Sequence, residues 1–158
     1  MPENAGSFVE KAALRLIARA EQCSCGLSRK LEKRGFDAAS ISEVISKLTE
    51  MNLLDDGRFA RMHLRSRLRL TRSPRRLSSS LRARGIGRDE AQAALKEVLD
   101  QDAELALLAR FVKKYPEKAA GRSRNYGADA ARSMKYFLKS EGFSPAAIEQ
   151  FLETQTNN

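Results

Sequence analysis

The chain of 158 residues has no tryptophan, one histidine, two cysteines and only 6% aromatic residues. The shortage of rings argues against base-stacking platforms, which need exposed aromatics, and the other scarcities remove further classes of function. Cys23 and Cys25 stand one residue apart, too close to staple a fold, and a lone C-x-C supplies at most half of a tetrahedral zinc site. His63 lies far along the chain from both, so no metal and no other cofactor is expected. It also lacks a serine, cysteine or acid at catalytic spacing, and Gly121-x5-Gly127 has the wrong context for a phosphate cradle. No catalytic residue is assigned, and no enzymatic activity is expected. Alternating strand patterns are nearly missing. No apolar run approaches a membrane span, which argues against a membrane partner. Met1–Ser7 lacks the basic-then-apolar pattern of a signal peptide, so a cytoplasmic protein with reduced thiols is expected.

The most informative absence is local. From Arg58 to Arg88 there is no aspartate, glutamate or lysine, yet there are eleven arginines. The chain has 29 basic and 20 acidic residues, so outside this window 18 basic residues face 20 acids. The net charge of +9 is therefore concentrated in one stretch. Such a field favours a polyanionic partner, because each neutralised phosphate releases a condensed counterion.

What is present is a helical pattern written three times. Leu31-Glu-Lys-Arg-Gly35-Phe36 is echoed by Leu81-Arg-Ala-Arg-Gly85-Ile86 and by Leu138-Lys-Ser-Glu-Gly142-Phe143. Each glycine sits where a helix ends in a left-handed residue, and the apolar residue after it folds back on the last turn. A second helix follows each time: Ile41, Val44, Ile45 and Leu48; Ala91, Ala94, Leu95 and Val98; Ile148, Phe151 and Leu152. Asp37 and Ser144, the latter with Pro145 behind it, are the expected caps. In the second unit Asp89 and Glu90 suit the positive end of the helix that starts there. A longer helix leads each unit: Phe8 to about Gln22, with Phe8, Ala12, Leu16 and Ala20 on one face; Asp56 to about Leu70; and Asp102 to about Tyr115. The expected architecture is all-α, three tandem three-helix repeats in an elongated, curved module, spanning 8–53, 54–100 and 101–153. The stretch 116–127 reads as a loop in the third.

At 100° per residue, Arg58, Arg61, Arg65, Arg69 and Arg72 fall within an arc of about 80°. Fourteen steps of about 1.5 Å make this a ladder of about 21 Å on one helix. Arg75 and Arg76 flank Pro74, whose place at the next helix start is expected to leave free amides for an anion. Arg82 and Arg84 add charge further on. Arginine throughout suits bidentate pairing with phosphate. Few Asn, Gln or Ser residues accompany the stripe, which points to positioning on a backbone rather than reading of bases. His63 shares a face with Phe59 and Leu70 and reads as packing. Asp55 and Asp56 read as caps of the helix they open.

These residues carry a resemblance. Leu54-Asp-Asp-Gly-Arg-Phe-Ala-Arg-Met-His-Leu-Arg-Ser-Arg67, Pro74-Arg-Arg-Leu77 and Leu81-Arg-Ala-Arg-Gly-Ile86 resemble the middle-repeat signature of the RecX family of recombination regulators. Arg34-Gly35-Phe36 and Gly142-Phe143-Ser144 are similar to its flanking repeats. His63 stands where that family usually has an aromatic ring, and Ser73 where glycine commonly precedes the proline. The resemblance implies three helix-turn-helix-like repeats and binding to the RecA filament on single-stranded DNA. It further implies suppression of ATP hydrolysis, strand exchange and SOS repressor cleavage. A monomer whose partners are RecA and single-stranded or duplex DNA is expected, with Arg58, Arg61, Arg65, Arg69, Arg72, Arg75, Arg76, Arg82 and Arg84 as its binding residues. The alternative is a helix-turn-helix-type protein that binds DNA directly.

Overall fold

The computed structural model describes residues 3–120 and 128–156. Among them are ten helices and no strand: α1 (Glu3–Arg19), α2 (Ser24–Glu32), α3 (Ala38–Glu50), α4 (Asp56–Leu68), α5 (Pro74–Arg82), α6 (Arg88–Val98), α7 (Gln101–Lys114), α8 (Pro116–Ala120), α9 (Ala128–Ser140) and α10 (Pro145–Thr156). The fold is all-α, and apart from the short α8 the helices follow the threefold pattern of the sequence.

Each repeat's second helix ends the same way. Gly35, Gly85 and Gly142 have φ of 85°, 85° and 90°. The N–H of the next residue reaches back five positions: Phe36 to Leu31 O (3.4 Å), Ile86 to Leu81 O (3.2 Å) and Phe143 to Leu138 O (3.2 Å). The glycine N–H of each donates to the carbonyl three residues earlier. This paired pattern satisfies carbonyls the helix end would otherwise leave open. The next helices start on the expected caps. Asp37 accepts from Ser40 N at 2.9 Å, and Ser144 Oγ accepts from Ala147 N at 3.2 Å. The Ser40 amide, with its hydroxyl in support, holds the Asp37 carboxyl below its ordinary value of 3.8.

The chain packs as two compact units, residues 1–63 with 81–91 and residues 64–80 with 92–158. In the first, Val9 and Ala13 of α1 meet Leu27 and Leu31 of α2 and Ile41, Val44 and Leu48 of α3, closed by Leu54. Of the expected face of α1, Ala12 and Leu16 pack partly buried against this core, whose centre lies one residue on at Val9 and Ala13. Phe8 is 61% exposed, with Lys11 Nζ 6.0 Å from its ring centre, and Ala20 lies outside the helix. Val9, Ala13 and Ile17 form an equally good i, i+4 column, and that column is the one turned toward α2 and α3. The helix stops at Arg19, before Gln22, whose side-chain amide bends back to donate to Ala20 O at 3.0 Å.

In the second unit, Leu107, Leu108 and Phe111 of α7 are buried, as are Leu138 of α9 and Ile148 and Phe151 of α10. The Phe111 ring lies 5.4 Å from Phe143 and 6.1 Å from Phe137. Asp100 caps α7 through Ala103 N at 2.9 Å. The loop expected over 116–127 is only partly one. Pro116–Ala120 is helical, with proline at the first position and Ala119 buried. Gly121, Ser123, Asn125 and Gly127 lie outside the described residues.

Candidate polyanion-binding site

Helix α4 is fixed at its start by two carboxylates. Asp55 caps it, accepting from Arg58 N at 2.9 Å. Asp56 was expected to do the same, but its Oδ1 accepts from Ser24 N at 2.6 Å and so caps α2 instead. Ala60, His63 and Leu64, at i, i+3 and i+4, are the buried residues of α4. The His63 ring stacks on Phe59, centres 6.0 Å apart and planes 10° apart, which is how an aromatic ring would pack there. Burial of this face turns Arg58 and Arg65 outward and leaves Arg61 half-buried.

The ladder does not continue as one helix. α4 ends at Leu68; Arg69 lies in its closing turn and Arg72 beyond it. Thr71 has φ of 50°, and its N–H donates to Leu68 O at 3.2 Å. A left-handed residue stops a helix whatever its periodicity says. Only Arg58, Arg61 and Arg65 keep helical spacing, a reach of about 10 Å, so no 21 Å ladder runs along one helix.

Arg58 is occupied. Its Nε sits 2.7 Å from Glu21 Oε1, while Nη1 and Nη2 donate to Asn52 O at 3.2 Å and Leu53 O at 3.3 Å. It ties the end of α1 and the turn after α3 to α4. Arg61 and Arg84, both half-buried, also have internal partners. Arg82 is exposed in the first unit. By contrast Arg65, Arg69, Arg72, Arg75 and Arg76 are all exposed, and all belong to the 64–80 segment of the second unit. Among the described residues their side chains make no hydrogen bond or ion pair. Lys114 joins them from α7, its Nζ donating to Leu70 O at 3.2 Å. That lysine was missed because its approach to the turn spans 44 residues of sequence.

One of the amides expected to be free for an anion at the start of α5 is already taken. The Arg75 amide donates to Glu141 O at 2.9 Å, and Ser73 and Pro74 are buried. Gly142 permits this approach: a Cβ there would lie 3.1 Å from Arg75 N. The first unit repeats the arrangement fifty residues earlier. Cys23, in the place of Ser73, points its Sγ at Arg84 O (3.4 Å), and Cys25 lies against Gly85. Burial pushes the Cys23 thiol above its ordinary value, which keeps it a protonated donor. Ser73 Oγ, in contrast, is buried without a partner among the described residues.

Among the described residues no three His, Cys, Asp or Glu side chains cluster as metal ligands would, and no helix is long and apolar enough to cross a membrane. The site is a set of exposed guanidiniums on a helical scaffold, suited to holding phosphates or carboxylates.

Two stretches of the chain match family models of three-helix domains. Residues 11–48 match the family model of the first three-helix domain of RecX, and residues 55–95 that of the second. The regulatory protein RecX of Halorhodospira halophila is 37% identical over 146 residues, covering 89% of this chain and 83% of that protein. The regulatory protein RecX of Treponema pallidum is 32% identical over 148 residues, covering 93% and 85%. The crystal structure of RecX from Lactobacillus salivarius has the same fold, with a TM-score of 0.73 at 20% identity and 99% of both chains covered. A fold of αL-terminated helix triples, two matched domain models and an identity of 37% over most of both chains lead to one conclusion: the chain belongs to the RecX family of regulatory proteins.

Proposed function

We propose that this protein is a non-enzymatic regulator of RecA. It binds the RecA filament on single-stranded DNA and inhibits ATP hydrolysis, strand exchange and the coprotease activity toward the SOS repressor. It acts in the cytoplasm as a monomer, through three repeats over 8–53, 54–100 and 101–153. The observation that carries the reading is the set Arg65, Arg69, Arg72, Arg75 and Arg76, exposed and without internal partners among the described residues. A guanidinium already bonded to its own fold gains less from a phosphate than one held only by water, so these five are the primary contacts. Arg82 adds to them, while Arg61 and Arg84 act as secondary charges. Arg58, bonded to Glu21 and to two backbone carbonyls, serves the scaffold rather than the contact.

Steering by this charge speeds encounter with a nucleoprotein polymer and weakens with salt. If five phosphates are neutralised on a single strand, log K falls with log salt at a slope of about −3.5. The test is a titration into RecA assembled on single-stranded DNA, following ATP hydrolysis. Substoichiometric inhibition is expected. Tight binding to one duplex sequence without any effect on RecA would instead identify a direct DNA-binding regulator.

A further inference from the structure

The end of α7 holds a second group of cations that neither the arginine pattern nor the family match singles out. Tyr115 closes this helix, and its ring packs at 5.0 Å and 56° on the buried Phe111. Two exposed ammonium groups attend the ring, Lys114 Nζ at 5.5 Å and Lys118 Nζ at 5.4 Å from its centre. A cleft of about 310 Å³ opens here, lined by residues 114–118. Arg76 and Lys118 border one small cavity together with Tyr115 and Glu141. Lys114 touches the α4–α5 turn at Leu70, between Arg69 and Arg72 in sequence. All of these residues belong to the second unit.

We infer that Tyr115 is a stacking platform for one unpaired base of a single-stranded nucleic acid, with Lys114, Lys118 and Arg76 holding the phosphates on either side of it. The inference deepens the reading above by adding a contact from the third repeat, and it rests on that reading for the identity of the strand. Three features favour it. The ring is held in a tilted contact with Phe111, so ordering it on binding costs little side-chain entropy. The cleft has the dimensions of a small-ligand site, and both lysines line it. The ammonium–ring contacts are weak where water reaches them, whereas a lysine–phosphate hydrogen bond is charge-assisted. Each lysine therefore gains by leaving the ring for a phosphate, and the vacated face takes the base. Glu117 and Glu141 lie within the group and set its limit: they repel a phosphate that strays from the three cations.

The chain has no tryptophan, so its three tyrosines report by intrinsic fluorescence. The experiment measures binding of the full-length protein to labelled oligo(dT) and to an abasic strand of equal length, without RecA. Tyr115→Leu is expected to weaken oligo(dT) binding about tenfold and to leave the abasic strand unaffected. Tyr115→Phe keeps the ring and is expected to retain wild-type affinity for both strands. Lys114→Gln with Lys118→Gln weakens both and makes the salt slope shallower by about 1.4; both lysines are exposed, so this variant tests the site even if Tyr115→Leu unfolds. Equal loss on both strands for Tyr115→Leu, or an unchanged slope for the lysine pair, overturns the inference. So does quenching by oligo(dT) that persists in full when Tyr115 is replaced. RecA inhibition measured in parallel separates the two claims, because it can survive loss of this contact.

Discussion

The two glycine joints of the molecule share a backbone plan and differ in chemistry. In the first unit Gly85 receives Cys25, and Cys23 donates to Arg84 O. In the second, Gly142 receives Pro74 and Arg75, and a backbone amide donates to Glu141 O. Gly35 has the same φ as Gly85, yet a Cβ there would meet nothing within 4 Å. Left-handed geometry alone therefore explains one glycine, while the other two also make room for a neighbouring helix start. The Cys23 position is satisfied by a thiol, whereas Ser73 buries a hydroxyl that gains no partner among the described residues. The plan needs a small residue at this place more than it needs a cap.

Breaking the joints should rank the three glycines. Gly85→Ala combines a strained φ with overlap against Cys25 and is expected to cost about 3 kcal/mol, read as a lower urea midpoint. Adding Cys25→Gly should return at least about 1 kcal/mol, a coupling that independent sites would not show. Gly142→Ala meets Arg75 N less severely and should cost about 2 kcal/mol; Gly35→Ala should cost only about 1 kcal/mol from backbone strain. Equal losses at all three positions would mean that the close approaches contribute nothing.

Smaller effects sharpen the contrast. Ser73→Ala should stabilise by about 1 kcal/mol, because it removes an unsatisfied buried hydroxyl; an ordinary helix cap would lose that much. The Asp37 cap should appear as a pH effect. Its folded value is lowered, so the stability it contributes is present above 3.8 and lost as pH falls through the folded value. Asp37→Asn, which caps without titrating, should flatten that part of the profile.

Much of this was legible in the sequence, and the failures have physical causes. The three glycine stops and the caps at Asp37 and Ser144 are local chemistry, and local patterns report them. The centre of the buried face of α1 was misread by one residue because Phe8 and Val9 head equally good columns, and only the packing of α2 and α3 chooses between them. The end of α4 near Leu70 was legible, but the arginine spacing was carried past it to Arg72, because Leu68-Arg69-Leu70-Thr71 contains neither glycine nor proline and a β-branched threonine takes the left-handed position. The role of Arg58 was hidden because Glu21 is 37 residues away. Charge density located the candidate site, whereas tertiary pairing decides which of its arginines are available.

That division is the central claim, and removing the charge of each kind of arginine tests it most directly. RecA on single-stranded DNA is titrated with wild-type protein, with Arg65→Glu plus Arg69→Glu, and with Arg58→Gln, following ATP hydrolysis and, separately, helicity and urea stability. The double variant should keep its helicity and lose inhibition, whereas Arg58→Gln should lose about 1 kcal/mol of stability and inhibit like wild type. Undiminished inhibition by the double variant, or its loss in Arg58→Gln with the fold intact, would contradict the account.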